Sequence, residues 1–299
     1  MTIDKYQKSL VTPQFYGQIG NQLFIVATTL AYAWDYDMTP IFPGLHTEKN
    51  RLSYNKDRLF FRLDTSSPPR NFSHIFREEA PYDGKRIPYF KDVILDGYFQ
   101  SWRHFDHHRN KLLEMLAPSI ETQTLLQSKY QDLLNSPKTV SIHVRTSGIR
   151  FHNTNQQPFL GFEYYEECMN HFPEDSIFVL FSDRVNWCKK KFTEKFPHKT
   201  FFFVEGNYGI EDLFLMSLCK NNIICNSTFS WWGAYLNLNP TKKVIVPEEW
   251  HGGGEVCSDP KSTLYLPDWI TVPYIFAPYP EDMYAYDAGS QSCDPVWWN

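Results

Sequence analysis

The sequence predicts an α/β protein in which helices cover mostly parallel sheets, and three features of the chain indicate this. Beyond residue 136, short apolar runs of strand length alternate regularly with helical segments, a pattern typical of parallel sheets. The first part of the chain opens with a strand, a glycine-containing turn and a long helix. Apolar residues make up 42% of the 299 positions, which is enough for about two domains.

The N-terminal part is predicted to begin with a strand–turn–helix unit. Residues 44–92 carry many Pro, Arg and Asp and show little periodicity, so we expect irregular loops with short strands and helices there. The predicted elements are a strand over 11–16, a helix over 21–34, strands over 38–42 and 93–98, and helices over 106–116 and 121–134.

The C-terminal part is predicted to be a Rossmann-like half, because strands and helices alternate along it. Ser136-Pro137-Lys138 is the expected boundary, and the Pro- and aromatic-rich tail after Pro267 is expected to pack as an extended strap. The predicted domains are therefore 1–136, 137–266 and the strap 267–299. The predicted strands cover 139–144, 177–181, 200–204, 222–225 and 243–246, and the predicted helices cover 162–171, 187–196, 211–220 and 228–236.

Composition excludes several classes of protein. The net charge of −5 argues against an extended nucleic-acid surface, which needs a basic stripe. The N-terminus has no apolar core of a signal peptide, and no run of about 20 apolar residues occurs. The six cysteines include no CxxC pair, and Cys219 and Cys225 lie in apolar contexts, so buried free thiols are expected. These features favour a cytoplasmic location.

The segment Asn226-Ser227-Thr228-Phe229 is the most informative part of the chain. It follows the apolar run Ile223-Ile224-Cys225 and leads into the predicted helix FSWWGAYLN. A strand that turns through short polar residues into a helix leaves backbone N–H groups beside hydroxyls, which is a ready site for a phosphate. The alternative is an ordinary helix cap followed by two core tryptophans.

Two neighbouring strand ends carry further polar side chains. His143 and Arg145 share one face where the strand 139–144 ends, and Arg145 is well shaped to hold phosphate oxygens. The alternative is a solvated strand face. Asp183 follows the strand 177–181 and could accept hydrogen bonds from a guanine edge, or could instead cap the next helix.

The N-terminal part offers a matching set of weaker signals. The turn Gly17-Gln18-Ile19-Gly20-Asn21-Gln22 lacks the GxGxxG spacing of a dinucleotide site. Its glycines would still let backbone approach a ligand closely, and Asn21 and Gln22 offer amides. Asp96, Gln100 and Ser101 follow the strand 93–98 and add polar groups.

Together these segments resemble a known family. GQIGNQLF, DGYFQSWRHF, SIHVR, FSDRVNWCKKKF and EDLFLMSLCKNNIICNSTFSWWGAYLN are similar, in the same order, to the α-1,2-fucosyltransferases of glycosyltransferase family 11, over about residues 14–250. The resemblance implies two Rossmann-like domains of the glycosyltransferase B type with a donor cleft between them. It also implies GDP-fucose as the donor and inverting transfer without a metal or other cofactor.

Residue by residue, the resemblance implies a donor site. It places Arg145 on the diphosphate and His143 and Asp183 near guanine. The segment 226–229 would hold phosphate oxygens, chiefly through Ser227 and Thr228. The residues implied on the opposite side are Gly20, Asn21 and Gln22 towards the fucose and diphosphate, with Gln100 and Ser101 on the acceptor side.

The chain departs from the family pattern at two strand ends. The pattern HxRRxD reads HVRTSG here, so Thr146 replaces the second Arg and Gly148 replaces the Asp. The pattern FSDD reads FSDR, with Arg184 in place of an acid. We hypothesise that Arg184 restores the lost positive charge, in which case Arg184→Ala weakens GDP binding. These departures bear on the donor sugar, the acceptor and activity itself.

The implied reaction is a single displacement in which an acceptor hydroxyl attacks as GDP leaves. Arg145 and Asn21 are the predicted catalytic groups besides a general base. Glu163 is the first candidate for the base because it follows the loop that leaves the strand 139–144, and Asp96 is the second. Either acid could instead be a cap or a surface group.

Two motifs that suggest a metal are interpreted otherwise. Asp35-Tyr36-Asp37 spells DxD, which holds a metal in other glycosyltransferases, but it ends the first predicted helix, away from the expected donor site. His104, His107 and His108 form a small cluster with no carboxylate at the usual spacing, so we expect them to be solvated. No metal site is predicted.

Three interpretations of function stay open. The first is transfer of L-fucose to a galactose 2-hydroxyl of a glycan. The second keeps the fold but uses another nucleotide sugar or linkage. The third is a GDP- or glycan-binding protein that has lost transfer. A GDP-sugar and a glycan are the expected partners, and peripheral membrane association or a homo-oligomer is left open.

Overall fold

The computed structural model describes residues 8–46, 56–66, 71–80, 82–146, 159–251, 261–275, 280 and 282. The chain divides into two compact units. Unit 1 comprises Met1–Ser119 and Cys257–Leu266, and unit 2 comprises Ile120–Val256 and Pro267–Asn299. Within the described ranges, every helix is too short or too polar to cross a membrane.

Unit 1 is built on a four-stranded parallel sheet with the strand order β2-β1-β4-β3. Its strands are β1 (Leu10–Pro13), β2 (Thr39–Pro40), β3 (His74–Arg77) and β4 (Val93–Asp96). Among the described residues, its α-helices include α1 (Ile19–Asp35), α2 (Arg109–Met115) and the short helix Lys261–Leu264, and its 3-10 helices include Pro43–His46, Trp102–His104 and Asp106–His108.

The long helix α1 forms much of the core of unit 1. Leu23, Phe24, Ile25 and Val26 are all fully buried in it, because nearly every side of its middle turns faces protein. The predicted strand over 38–42 is shorter in the structure, where β2 covers Thr39–Pro40, although the backbone N of Ile41 still donates to the Val11 carbonyl at 2.9 Å.

Unit 2 is built on a six-stranded parallel sheet with the order β10-β9-β8-β5-β6-β7. The strands are β5 (Thr139–Val144), β6 (Ile177–Ser182), β7 (Thr200–Phe203), β8 (Asn221–Ile223), β9 (Val244–Pro247) and β10 (Ile270–Val272). The helices are α3 (Ile120–Lys129), α4 (Gln131–Asn135), α5 (Gly161–Asn170), α6 (Val185–Lys195), α7 (Gly209–Leu218) and α8 (Thr228–Tyr235).

The predicted α/β class with parallel sheets is confirmed. Every strand and helix predicted between residues 139 and 247 is present, with ends within two residues of the prediction. The predicted helix over 121–134 is interrupted at Tyr130, which separates α3 from α4. Part of the predicted strap is a strand, because β10 pairs with β9 in parallel.

The two short helices α3 and α4 belong to unit 2, although they precede the predicted boundary. Lys129 Nζ and Tyr130 Oη both donate to Asn207 Oδ1, at 2.6 Å and 2.8 Å, and these bonds attach the end of α3 to the loop before α7. The compact units thus divide after Ser119. The domain limits 1–136, 137–266 and 267–299 stay predictions about independently folding parts.

Candidate functional site

Three adjacent strands of unit 2 end at one edge of the sheet. Strand β5 lies between β8 and β6, and all three are parallel. The residues that follow them therefore meet at the carboxyl edge, where open α/β sheets bind ligands. We call Arg145, Thr146, Asp183 and Ser227 the unit 2 edge.

Arg145 lies beside the start of helix α8. Its Nη1 donates to Ser227 Oγ at 3.3 Å. Ser227 is the residue before α8 and has an extended backbone (φ −135°, ψ 125°). Its hydroxyl makes no cap hydrogen bond to the helix and instead accepts from Arg145. Thr228 opens the helix, and Asn226 is buried. A guanidinium beside a helix N-terminus is an arrangement suited to an anion.

Asp183 is joined to the end of the neighbouring strand. Its Oδ1 accepts hydrogen bonds from both the backbone N and the Oγ1 of Thr146, each at 2.8 Å. The residue at the cap position of α6 is Arg184 rather than Asp183. The backbone N of Arg184 donates to Ser182 Oγ at 3.0 Å. Thr146, which departs from the family pattern, thus links the ends of β5 and β6.

His143 is an interior group. Its side chain is 2% exposed, so the alternative of a solvated strand face is wrong for this residue. Nδ1 lies 3.2 Å from Cys225 Sγ, and the ring is 5.6 Å from that of Phe229. Burial, with a further effect of Arg145, lowers the pKa of His143 to about 3, and burial raises the pKa of Cys225 to about 12. Both groups are therefore neutral near pH 7.

The predicted residues of unit 1 also come together. Gln100 Nε2 donates to Asn21 Oδ1 at 2.8 Å, and Gln22 Nε2 donates to the Gly17 carbonyl at 3.1 Å. Gly17 has φ +64°, and a Cβ built on it would lie 2.2 Å from Asn21 Nδ2, so the turn requires glycine. Gly20 is buried in the first turn of α1.

Ser101 has a structural role. It is fully buried, and its Oγ donates to the Thr263 carbonyl at 2.8 Å. This bond holds the helix Lys261–Leu264 against the segment after β4. Direct contact with an acceptor, as predicted for Ser101, would need this bond to open.

The two candidate bases lie in very different places. Asp96 ends β4, where Oδ1 accepts from Tyr16 Oη at 2.6 Å and Oδ2 lies 3.2 Å from Arg77 Nε. Glu163 is exposed and pairs with Lys195 at 3.6 Å. Lys195 is the last residue of α6, so Glu163 faces the end of α6 opposite to Asp183.

Glu78 is a half-buried acid that the sequence analysis did not single out. Its Oε2 accepts from the backbone N of both Tyr98 and Phe99, at 2.8 Å and 2.9 Å. Phe99 has φ +50°, so its backbone is strained. The two hydrogen bonds to Glu78 stabilise this loop, which leads directly to Gln100. Burial raises the pKa of Glu78. An acid directly after the short strand His74–Arg77 was the available signal, within a segment predicted to be largely irregular.

The expectation that the histidine cluster lacks a carboxylate is wrong. Asp35 Oδ1 lies 2.9 Å from His107 Nε2 and 2.8 Å from His108 Nε2. His104 is separate from this group, since it is buried and burial lowers its pKa to about 4.

Comparisons with known proteins show which family the chain belongs to. The family model for glycosyl transferase family 11 matches residues 72–273. An α-1,2-colitosyltransferase from Escherichia coli is 34% identical over 161 residues, which are 52% of this chain and 54% of that protein. Galactoside α-(1,2)-fucosyltransferase 1 from Leontopithecus chrysomelas is 27% identical over 238 residues, which are 74% of this chain and 63% of that protein.

A solved structure agrees in fold. The fucosyltransferase NodZ from Bradyrhizobium superposes with a TM-score of 0.53 and 14% sequence identity, over 76% of this chain and 91% of that chain. The matched segments cover less than two thirds of the length of the two relatives above, 54% and 63%.

Proposed function

The chain belongs to glycosyl transferase family 11, whose model matches more than half of it, and on this premise we propose that it transfers L-fucose from GDP-fucose to a galactose 2-hydroxyl of a glycan. Transfer inverts the anomeric centre and needs no metal. The finer architecture, two Rossmann-like domains of the glycosyltransferase B type, is part of the proposal, as are the cytoplasmic location and the glycan acceptor.

The observation that carries the proposal is the unit 2 edge. A departing GDP needs positive charge and N–H donors for its diphosphate, since charge builds there as the glycosidic bond breaks. Arg145 Nη1 lies 3.3 Å from Ser227 Oγ at the start of α8, so a guanidinium and a helix N-terminus can bind the same phosphate oxygens. Thr228 adds a hydroxyl at the first turn.

The nucleoside end of the donor lies towards Asp183 in this proposal. Asp183 is held by its two hydrogen bonds from Thr146, which fix the orientation of the carboxylate at the end of β6. His143 acts from the interior as a neutral group that supports the strand end. Asn226 and Phe229 complete the strand-to-helix segment around the phosphates.

Unit 1 supplies the polar groups for the sugars. The Asn21–Gln100 pair and the Gln22–Gly17 bond hold side-chain amides in place at the start of α1. Asp96 is the better placed of the two candidate bases, because it ends a strand of the same sheet and is held by Tyr16. Glu163 is turned towards Lys195 instead.

A second donor deserves a test of its own, because a relative at 34% identity is an α-1,2-colitosyltransferase. Colitose lacks one ring hydroxyl of fucose, so the two donors share the nucleotide and differ only at the sugar. The same unit 2 edge would bind both, and the choice would rest on polar groups facing the sugar ring.

The decisive experiment is incubation of the purified protein with lactose and either GDP-fucose or GDP-colitose. The proposal predicts GDP release with stoichiometric formation of a fucosylated trisaccharide, and faster turnover with GDP-fucose. Faster turnover with GDP-colitose would move the proposal to the second donor. GDP binding without turnover on a panel of GDP- and UDP-sugars and galactosides would mean that the chain binds nucleotide but does not transfer.

A further inference from the structure

Two sequence motifs that are far apart along the chain meet in unit 1. Asp35 ends helix α1, and His107 and His108 lie in the 3-10 helix Asp106–His108, 72 and 73 residues later. Both imidazole Nε2 atoms lie against the same carboxylate, at 2.9 Å and 2.8 Å from Asp35 Oδ1. From this juxtaposition we infer that the three side chains form a binding site for a divalent transition-metal ion of the zinc class.

The chemistry of the three side chains fits such an ion. Zinc takes imidazole nitrogen and carboxylate oxygen at about 2.0–2.2 Å, so two ligands at a tetrahedral centre lie roughly 3.3–3.5 Å apart. The three ligand atoms here all lie within 4.8 Å of one another. Small side-chain rotations would bring them to that spacing. Imidazole with a single carboxylate selects zinc, copper, nickel or cobalt over magnesium or calcium, which prefer oxygen ligands throughout.

The metal ion would take the place of the hydrogen bonds that now join the two imidazoles to the carboxylate of Asp35. In the metal-free protein an imidazole Nε2–H donates to the carboxylate of Asp35. On metal binding each neutral ring takes the tautomer with its proton on Nδ1, exchanged through solvent, so that the Nε2 lone pair can coordinate; a ring that was doubly protonated releases one proton to solvent. No bond to carbon is made or broken, and no electron transfer is required.

The position is accessible from solvent. The side chains of His107, His108 and Asp35 are 46%, 28% and 24% exposed. Asp35 and His107 also line a pocket of about 320 Å³, which provides an entry path and room for the remaining ligands. Three protein ligands leave at least one position for water or an anion.

Nearby charges set how tightly the ion binds. Arg86 and Arg103 line the same pocket, and Lys111 lies 4.1 Å from the Trp34 ring that packs against His108. These cations repel the bound divalent ion and so weaken its binding. They also favour an anion as the fourth ligand of the metal. We therefore expect moderate affinity rather than that of a buried structural zinc.

The consequence of binding is a cross-link within unit 1. The ion would join the last turn of α1 to the segment that follows β4, closing a long stretch of chain. A ligand that binds only the folded state raises stability in proportion to the logarithm of its concentration. This role lies outside the transfer reaction, so its failure would leave the proposed function untouched.

The test is Zn²⁺ titration of untagged, chelator-stripped protein by calorimetry, with Co²⁺ absorption as a check on coordination. A Cys257→Ser, Cys293→Ser background removes two thiols that lie outside the described residues and could bind zinc. We expect one ion per chain and a raised thermal midpoint. Outer-shell partners of metal ligands are worth about 10- to 100-fold in affinity, so His107→Ala and His108→Ala should each weaken binding at least as much.

Two further variants make the outcome decisive. Asp35→Asn keeps an acceptor for the histidines but loses the charge, so it should fold normally and still weaken Zn²⁺ binding by about tenfold or more. His198→Ala removes an exposed histidine of unit 2 and should change nothing. Equal Zn²⁺ affinity in the parent, Asp35→Asn and the double variant His107→Ala, His108→Ala would overturn the inference, as would the absence of binding in the parent.

Discussion

The two parallel sheets of this chain end in chemically different edges. The unit 2 edge combines the guanidinium of Arg145 with a helix start and an acid that is already bonded to Thr146. The corresponding edge of unit 1 carries two acids, Glu78 and Asp96, and a pair of amides, with Arg77 bonded to one of the acids. The first edge suits a negative leaving group, and the second suits neutral sugar hydroxyls.

Under the proposed function, the difference would explain how a protein of net charge −5 binds a nucleotide diphosphate. Such binding does not need a positive surface. One guanidinium and a few backbone N–H groups can contact the phosphate oxygens directly, and their electrostatic interaction is stronger in a protein site than in bulk water.

The largest effect is expected at Arg145. Arg145→Ala removes the guanidinium that would stabilise the leaving diphosphate, so kcat/KM for GDP-fucose should fall by roughly 30- to 1,000-fold, about 2–4 kcal/mol. Arg145→Lys keeps the positive charge but loses the planar guanidinium, so its kcat/KM should lie between those of the parent and Arg145→Ala. Steady-state kinetics measure this, with Lys189→Ala, a surface ion-pair variant, as the control. A loss below threefold in Arg145→Ala would remove the unit 2 edge from the mechanism.

The next effect is expected in unit 1, at Gly17. Alanine there must accept φ +64° and meet Asn21 Nδ2 at 2.2 Å, which should cost about 1–3 kcal/mol of unfolding free energy and disturb the Asn21–Gln100 pair. Gly209→Ala in unit 2 is the matched control, because a Cβ there meets nothing within 4 Å. Chemical denaturation compares the two, and equal stabilities would contradict the strain at Gly17.

Buried histidines in the two units predict a pH dependence of stability. The folded pKa values, about 3 for His143 and about 4 for His104, lie below the ordinary value of 6.5. The unfolded chain therefore binds the extra protons, and stability falls as the pH drops below about 6.5, by roughly 1.4 kcal/mol per pH unit for each histidine. Urea unfolding between pH 5 and 7 should show a smaller slope in His143→Gln and in His104→Gln. An unchanged slope would mean that the histidine concerned is not buried as a neutral group.

A smaller effect is expected at Thr146. Thr146→Val removes the hydroxyl bond to Asp183 but keeps the backbone bond. One such bond is worth about 0.5–1.5 kcal/mol, and somewhat more with a charged acceptor, so the KM for the donor should rise by about three- to thirtyfold. Thr146→Ser keeps the hydroxyl and should retain most of the parent affinity. If valine and serine behaved alike, Asp183 would not depend on this contact.

The smallest effect is expected at Glu163. Glu163→Gln removes an exposed charge whose partner is Lys195, and exposed pairs contribute little. Its kcat should stay within about twofold of the parent, whereas Asp96→Asn should lower kcat by about 100-fold if Asp96 is the base. Single-turnover kinetics at saturating acceptor separate the two. A large loss in Glu163→Gln alone would restore it as the base.

Much of the fold followed from sequence, and the reasons are local. The apolar runs that became β5, β6 and β8 and the helices between them have clear periodicity, and adjacency of parallel strands then brings Arg145, Asp183 and Ser227 to one edge. What could not be predicted depends on contacts across long separations. Examples are the Thr146–Asp183 bonds and the burial of His143 against Cys225.

The same limit applies to Asp35 and the histidine pair. Each motif looked incomplete alone because its ligand partners lie on another element, 72 residues away. Glu78 was missed for a related reason, since its role depends on the backbone of the loop after β4. The spacing of residues along the chain predicts contacts within one helix or strand. It does not predict contacts between two elements that are distant in sequence and adjacent in the fold.

The central claim is that Arg145 and the start of α8 bind the diphosphate of the donor. Calorimetric titration of the parent and of Arg145→Ala with GDP and with guanosine tests it most directly, because the two ligands differ only in the diphosphate. The claim predicts that the parent binds GDP at least about 30-fold more tightly than guanosine, and that in Arg145→Ala this ratio falls towards one while the affinity for guanosine is unchanged. The same GDP-to-guanosine ratio in both proteins would contradict it.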